Sequence, residues 1–312
     1  MSSRSFQQVD VFTDTAFLGN PLAVVLDGTG LSDAQMQAFA AWTQLSETTF
    51  VLPPTPEGAA GGADYRVRIF TPGAELPFAG HPTLGTAHAW LKAGNTPRQS
   101  GLLVQECGVG LVSLKQLGKQ WAFAAPPLER TDISSEDLAP VLAALGLNAS
   151  EVIVAQHLNN GPHWLGLLVS DVDTVLALEP DHAALKKLGT KVGVAARRQA
   201  PETTESHGLI RRANREARAF TPSFTRIAND PTDLEVRAFA APVGIIDDPV
   251  TGSLNASLAQ WLMADGHMPY IYSARQGTVL GRAGQVFLSQ DVQGQVWVGG
   301  DVVGCIQGSV SL

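Results

Sequence analysis

The sequence predicts an α+β fold of two similar halves, each a curved mixed β-sheet wrapped around one central buried helix. Three observations lead there. Residues 80–91 (Gly-His-Pro-Thr-Leu-Gly-Thr-Ala-His-Ala-Trp-Leu) and 252–262 (Gly-Ser-Leu-Asn-Ala-Ser-Leu-Ala-Gln-Trp-Leu) hold no formally charged residue and are crowded with small side chains. A helix without a polar face is normally buried. Each stretch is preceded by a glycine-bearing turn, and each is embedded in short alternating segments with the period of half-buried strands. One sheet around each helix is the economical layering.

The other elements follow in order. Ser32 and Gln35 stand three apart as a capping box, which predicts a helix start at Ser32 and a run to about Thr43. Tyr65, Val67 and Ile69 alternate with Arg66, Arg68 and Phe70, a strand. Gly85 inside the first uncharged helix costs about 1 kcal/mol relative to Ala, so something must pack closely on it. Residues 106–125 alternate as sheet. A helix is expected over 135–145, stopped by Gly146. Residues 195–233 are the most loop-like part, a polar excursion within the second half, and strand patterns resume at Leu234. Phe287 and the run from Val296 to Val298 mark further strands. These readings place the boundary near Pro126 and Pro127. The first half is 1–126, with the last strand (about 300–312) a candidate to complete it, and the second is 127–299.

A length of 312 residues exceeds what one hydrophobic core usually serves. The net charge of −8 and the lack of a dense basic run argue against nucleic acid. The densest basic stretch, 211–218, is broken by Glu216 and reads as a solvated face. Cys107 and Cys305 form neither a redox pair nor a metal-ligand spacing, so reduced thiols in the cytoplasm are expected. The first residues lack the apolar core of a signal peptide, and no apolar run approaches a membrane span. The expected partner is a small molecule.

Buried helix N-termini offer free N–H groups and the positive end of the dipole, a ready anion site. If both uncharged helices point at one cleft, a carboxylate could be gripped without Arg or Lys. Pro82 suits the first helical position, with His81 projecting from the turn before it. Asp247, Asp248 and Pro249 lead into the second helix. Glu47 interrupts a neutral strand entrance. Taken singly, each also has a plain structural reading: a helix-start histidine, an Asp-Pro turn, a surface glutamate.

Together these segments resemble the PhzF-like family of phenazine biosynthesis. The blocks are Val9-Asp10-Val11-Phe12, Phe17-Leu18-Gly19-Asn20-Pro21, Leu45-Ser46-Glu47-Thr48, Phe70-Thr71-Pro72, the run from Glu75 to Gly85, Asp248-Pro249-Val250-Thr251-Gly252-Ser253, and Gln276-Gly277 with Gly281-Arg282. The resemblance implies a diaminopimelate-epimerase-like fold and a cofactor-independent isomerase without a metal, similar to dihydro-hydroxyanthranilate isomerase. It implies Glu47, His81 and Asp248 as catalytic residues and Gly80, Gly252 and Ser253 as substrate-binding ones. It also implies a small carboxylate substrate and a homodimer. Epimerases of this fold carry a cysteine at each central-helix turn. Gly80 and Asp248 stand at those places here, which disfavours a two-thiol racemase. A family member that only binds is the other alternative. Ile246-Asp247-Asp248 departs mildly from a pattern with glutamate before the aspartate, and the excursion after Arg197 is longer than the family requires.

Overall fold

The computed structural model describes residues 2–198 and 232–312. Its two central helices, Gly80–Lys92 and Gly252–Ala264, are buried along most of their length. Each lies inside its own curve of sheet. In the first half the spatial order is Val302–Ser311, Ser3–Val11, Asn20–Val25, Glu47–Leu52, Tyr65–Phe70, Leu102–Cys107, Gly110–Leu117 and Gln120–Ala124. In the second it is Glu129–Asp132, Val152–Asn159, His163–Val169, Val192–Arg197, Leu234–Phe239, Ile271–Gln276, Gly284–Gln290 and Val296–Gly300. Both series run antiparallel, antiparallel, parallel, antiparallel, parallel, antiparallel, antiparallel. The halves are therefore copies of one topology, and the chain's last strand takes the outermost place in the first. Gln120–Ala124 pairs with Val296–Gly300, so the two sheets are hydrogen-bonded to each other.

Side-chain alternation sorts each strand between two layers. In Glu47–Leu52, Thr49 faces inward and accepts a 2.9 Å bond from Thr86 of the first central helix. Phe50 faces outward into a cluster with Phe39 of the helix Asp33–Thr43. That helix carries the expected capping box at Ser32 and Gln35. In the second half Ser135–Leu145, closed by Gly146 in the left-handed conformation, packs with His182–Leu188 outside the sheet.

Two expectations are corrected. The central helices begin at Gly80 and Gly252, where the uncharged stretches begin, so His81 does not stand in a turn before the first helix. His81 is consequently inside the first turn and Pro82 is third. Proline is tolerated there because the first N–H groups of a helix have no intrahelical acceptor. The loop-like reading of 195–233 also began too early. Residues 195–197 complete the strand Val192–Arg197, where Ala195 pairs with Val236. The rest of that excursion, from 199 to 231, and with it the basic stretch 211–218, lies outside the described residues.

Gly85 has the close contacts its position demanded. A Cβ there would lie 2.6 Å from Leu22 Cδ2, 2.9 Å from Val11 Cγ2 and 3.1 Å from Val9 Cγ2. All three are side-chain ends, which can yield a little, so Gly85→Ala should be nearly offset by its gain in helix propensity. Gly85→Val has no such room. It is expected to lower stability by about 1–3 kcal/mol in urea unfolding.

Candidate active site

The two central helices meet at their N-termini. A Cβ on Gly252 would lie 3.2 Å from Gly80 Cα and 3.3 Å from the His81 nitrogen, while one on Gly80 would lie 2.5 Å from Phe123 Cζ. Only glycine lets the two backbones approach this closely. The N-cap residues, Ala79 and Thr251, make no side-chain capping bond. Buried helix starts left uncapped are groups that a ligand can satisfy.

Glu47 opens its strand in parallel register with Leu22, on the same inward face as Thr49. Its Oε2 lies 3.5 Å from His81 Nε2. Both atoms are buried, and neither has a hydrogen-bond partner among the described residues. Burial, reinforced by the charge of Asp248, pushes the Glu47 carboxyl up to about 8. Burial pushes the His81 imidazole down to about 3, against an opposing hydrogen bond to the Pro21 backbone. Proline has only a carbonyl to offer, so the imidazole is the donor. With Nε2 unpartnered, the donating atom is Nδ1. The pair is therefore a neutral imidazole facing a carboxyl, not an ion pair, and His81 Nε2 is a ready acceptor for a proton on Glu47.

Asp248 comes from the turn before the second helix, with its N–H bonded to the Ala238 carbonyl at 3.0 Å. Its Oδ2 accepts from Thr251 Oγ1 at 2.7 Å and its Oδ1 from Asn20 Nδ2 at 3.2 Å. Burial raises its pKa, opposed chiefly by the Thr251 bond. Gln276 braces the turn, donating to the Asp248 carbonyl at 2.8 Å and to Thr251 Oγ1 at 3.0 Å, and accepting from Thr251 N and Asn255 Nδ2. Asp247, next in sequence, plays a different part. It is clasped by the Arg237 guanidinium at 3.0 and 2.8 Å, and Arg237 is itself held by the Val175 and Leu178 carbonyls. Ser253 sits at the second helical position. Its Oγ accepts from Trp164 Nε1 at 3.3 Å and its carbonyl from Asn160 Nδ2 at 3.0 Å.

Glu47, His81, Asp248, Gly80 and Gly252 thus converge where the halves meet, while Ser253 is engaged with the second half's own sheet. Sequence reasoning assigned nothing to Asn20, Thr251 or Gln276, although each lies in a quoted block. An amide between a glycine and a proline at the head of an apolar strand was the readable signal for Asn20. Among the described residues no group of His, Cys, Asp and Glu is arranged to hold a metal ion.

The sequence profile of a family described as phenazine biosynthesis-like protein matches residues 9–308. The chain is 32% identical over 325 residues to antisense-enhancing sequence 1 of Schizosaccharomyces pombe, covering 99% of each. It is 31% identical over 291 residues to trans-2,3-dihydro-3-hydroxyanthranilate isomerase of Pseudomonas aeruginosa, covering 92% of this chain and 90% of that one. The fold superposes on the crystal structure of a PhzF-family phenazine biosynthesis protein from Bacillus anthracis with a TM-score of 0.79, at 20% identity and 100% coverage of both.

The raised carboxyl has a consequence for stability that needs no substrate. Between the usual 4.5 of a free glutamate and about 8, the folded chain keeps a proton on Glu47 that the unfolded chain has released. The stabilisation from this proton is complete below the lower value and is lost as pH rises through the upper one. Glu47→Gln removes the linkage. Relative to that variant, the wild type should lose stability from about pH 5 to about pH 8 and then level off, measured as the difference in urea midpoints. A difference independent of pH would show an ordinary, exposed carboxylate.

Proposed function

The chain belongs to the phenazine biosynthesis-like protein family, and on that footing we propose that it is a cofactor-independent isomerase that shifts a proton along a small cyclic or unsaturated carboxylate. The observation that carries this reading is the unpartnered Glu47 carboxyl beside neutral His81, at the junction of two uncapped helix N-termini. The substrate carboxylate is held by the N–H groups that open the helices at Gly80, Gly252 and Ser253. Ionised Glu47 removes a proton from one ring or chain carbon. The electrons move into the conjugated system as the double bond migrates, and Glu47 returns the same proton to a second carbon on that face. No net redox change occurs. His81 Nε2 accepts a hydrogen bond from protonated Glu47, and Asp248 keeps the carboxyl basic enough to take a proton from carbon.

A two-thiol racemase lacks its acid–base pair of thiols, since Cys107 ends the strand Leu102–Cys107 and Cys305 lies in Val302–Ser311. The reading as a binding member has one point in its favour: the name of the S. pombe relative speaks of antisense enhancement rather than catalysis. Solvent deuterium incorporation separates the readings. A panel of cyclic and unsaturated carboxylates, beginning with trans-2,3-dihydro-3-hydroxyanthranilate, should include one that exchanges. On that substrate Glu47→Gln should keep its affinity and lose at least about a hundredfold in turnover. Wild-type turnover should rise with pH toward about 8, because only ionised Glu47 accepts a proton. No exchange across the panel, or undiminished turnover in Glu47→Gln, would overturn the reading.

The same reading includes a cytoplasmic homodimer. Both cysteines are free thiols, as a reducing compartment keeps them. The outermost strand of the first half, Val302–Ser311, carries no charge and no proline, and its pairing is interrupted by one bulge, at Cys305 opposite Gln8 and Val9. The opposite edge, Glu129–Asp132, is short and charged, the usual guard against edge pairing. Light scattering at micromolar concentration should return the mass of a dimer, and a monomer mass would refute it.

A further inference from the structure

Three groups of the candidate site hang on three consecutive residues. Asn20, Pro21 and Leu22 open the strand Asn20–Val25. Leu22 is the register partner of Glu47, and the Pro21 carbonyl accepts the hydrogen bond of His81 Nδ1. Asn20 turns the other way, into the second half. Its Nδ2 donates 2.9 Å to the Val250 carbonyl and 3.2 Å to Asp248 Oδ1. Two acceptors fix the orientation of the amide, because its oxygen cannot face either of them. The side chain is 1% exposed and its Oδ1 has no hydrogen-bond partner among the described residues. A buried amide with an unanswered oxygen is costly, so a purely space-filling role is poorly served by asparagine.

The Asp248 carboxylate is thus held from different halves: by Thr251 Oγ1 and the Val250 N–H of its own turn, and at Oδ1 by Asn20 from across the junction. We propose that Asn20 is a positioning residue that holds the ionised Asp248 carboxylate toward Glu47, joining the site groups of one half to those of the other. Among the described residues, charged and titratable groups around this link are few. Glu47 faces His81 and Asp248, and Asp248 faces Asp247, which Arg237 neutralises. Without the Asn20 donor, Asp248 takes a proton more readily, and its charge ceases to oppose the ionisation of Glu47.

Carboxyl carbon NMR tests this on the whole chain, labelled with [5-¹³C]glutamate and free of any substrate. The Glu47 signal is the one that disappears in Glu47→Gln. Its midpoint in the wild type is expected near 8. Asn20→Ala should lower that midpoint by at least about half a pH unit, and Asp248→Asn should lower it too. Adding Asn20→Ala to Asp248→Asn should produce no further change, because the first acts only through the second. An unchanged midpoint in Asn20→Ala would reduce Asn20 to a scaffold residue. An equal shift in both backgrounds would show that it does not act through Asp248. Should Asn20→Ala fail to fold, Asn20→Ser, too short to reach Asp248, runs the same cycle. The measurement requires no turnover, so its failure is distinguishable from failure of the isomerase reading.

Discussion

Two helix N-termini pressed against each other are the constraint around which this molecule is arranged. Gly252 and Gly80 meet so closely that a single methyl group on either would strike backbone or the Phe123 ring. Aligned head to head, the positive ends of two helix dipoles repel, and their free N–H groups are removed from water. Neither helix supplies a capping side chain to relieve this. Buried, uncapped helix starts of this kind can be satisfied by an anion without arginine or lysine.

That unmet field sits beside an excess of buried acid. Asp247 and Asp248 are neighbours in sequence with opposite solutions. Asp247 is neutralised by Arg237, whose remaining donors are spent on the Val175 and Leu178 carbonyls. Among the described residues Asp248 accepts from neutral donors, the Thr251 hydroxyl, the Val250 N–H and the Asn20 amide, which oppose the rise that burial causes, and its charge acts on Glu47. Hydrogen bonds can stabilise a carboxylate without cancelling its charge, whereas an ion pair does both. Burial is the larger cause of the raised proton affinity of Glu47, and the charge of Asp248 adds to it.

The duplicated topology explains how such a junction is built. Each half repeats one order of parallel and antiparallel pairings, and each helix is enclosed by its own sheet. The hydrogen-bonded seam between Gln120–Ala124 and Val296–Gly300 sets the two copies against each other. Hydrogen bonds then cross between the halves, including Asn20 to Asp248 at the site and Arg282 Nη1 to the exposed Phe17 carbonyl at 2.6 Å.

By itself the sequence determined the elements and their burial. The absence of charge over 80–91 and 252–262 marked both central helices, alternation marked the strand Tyr65–Phe70, and Ser32 with Gln35 marked a capped start. These are local properties, carried by residues a few positions apart. It also supplied Glu47, His81 and Asp248 as candidates through a resemblance spread over most of the chain. Tertiary structure alone decided that His81 lies inside the first helical turn, that Asp247 belongs to Arg237, and that Asn20 reaches a turn 228 positions away. Likewise, no periodicity in residues 302–311 says that they lie beside residues 3–11 rather than with the half they follow. The physical reason is common to all four. Proton affinity, pairing partner and close backbone approach depend on what a folded chain brings within a few ångströms, and one-dimensional spacing carries no record of that.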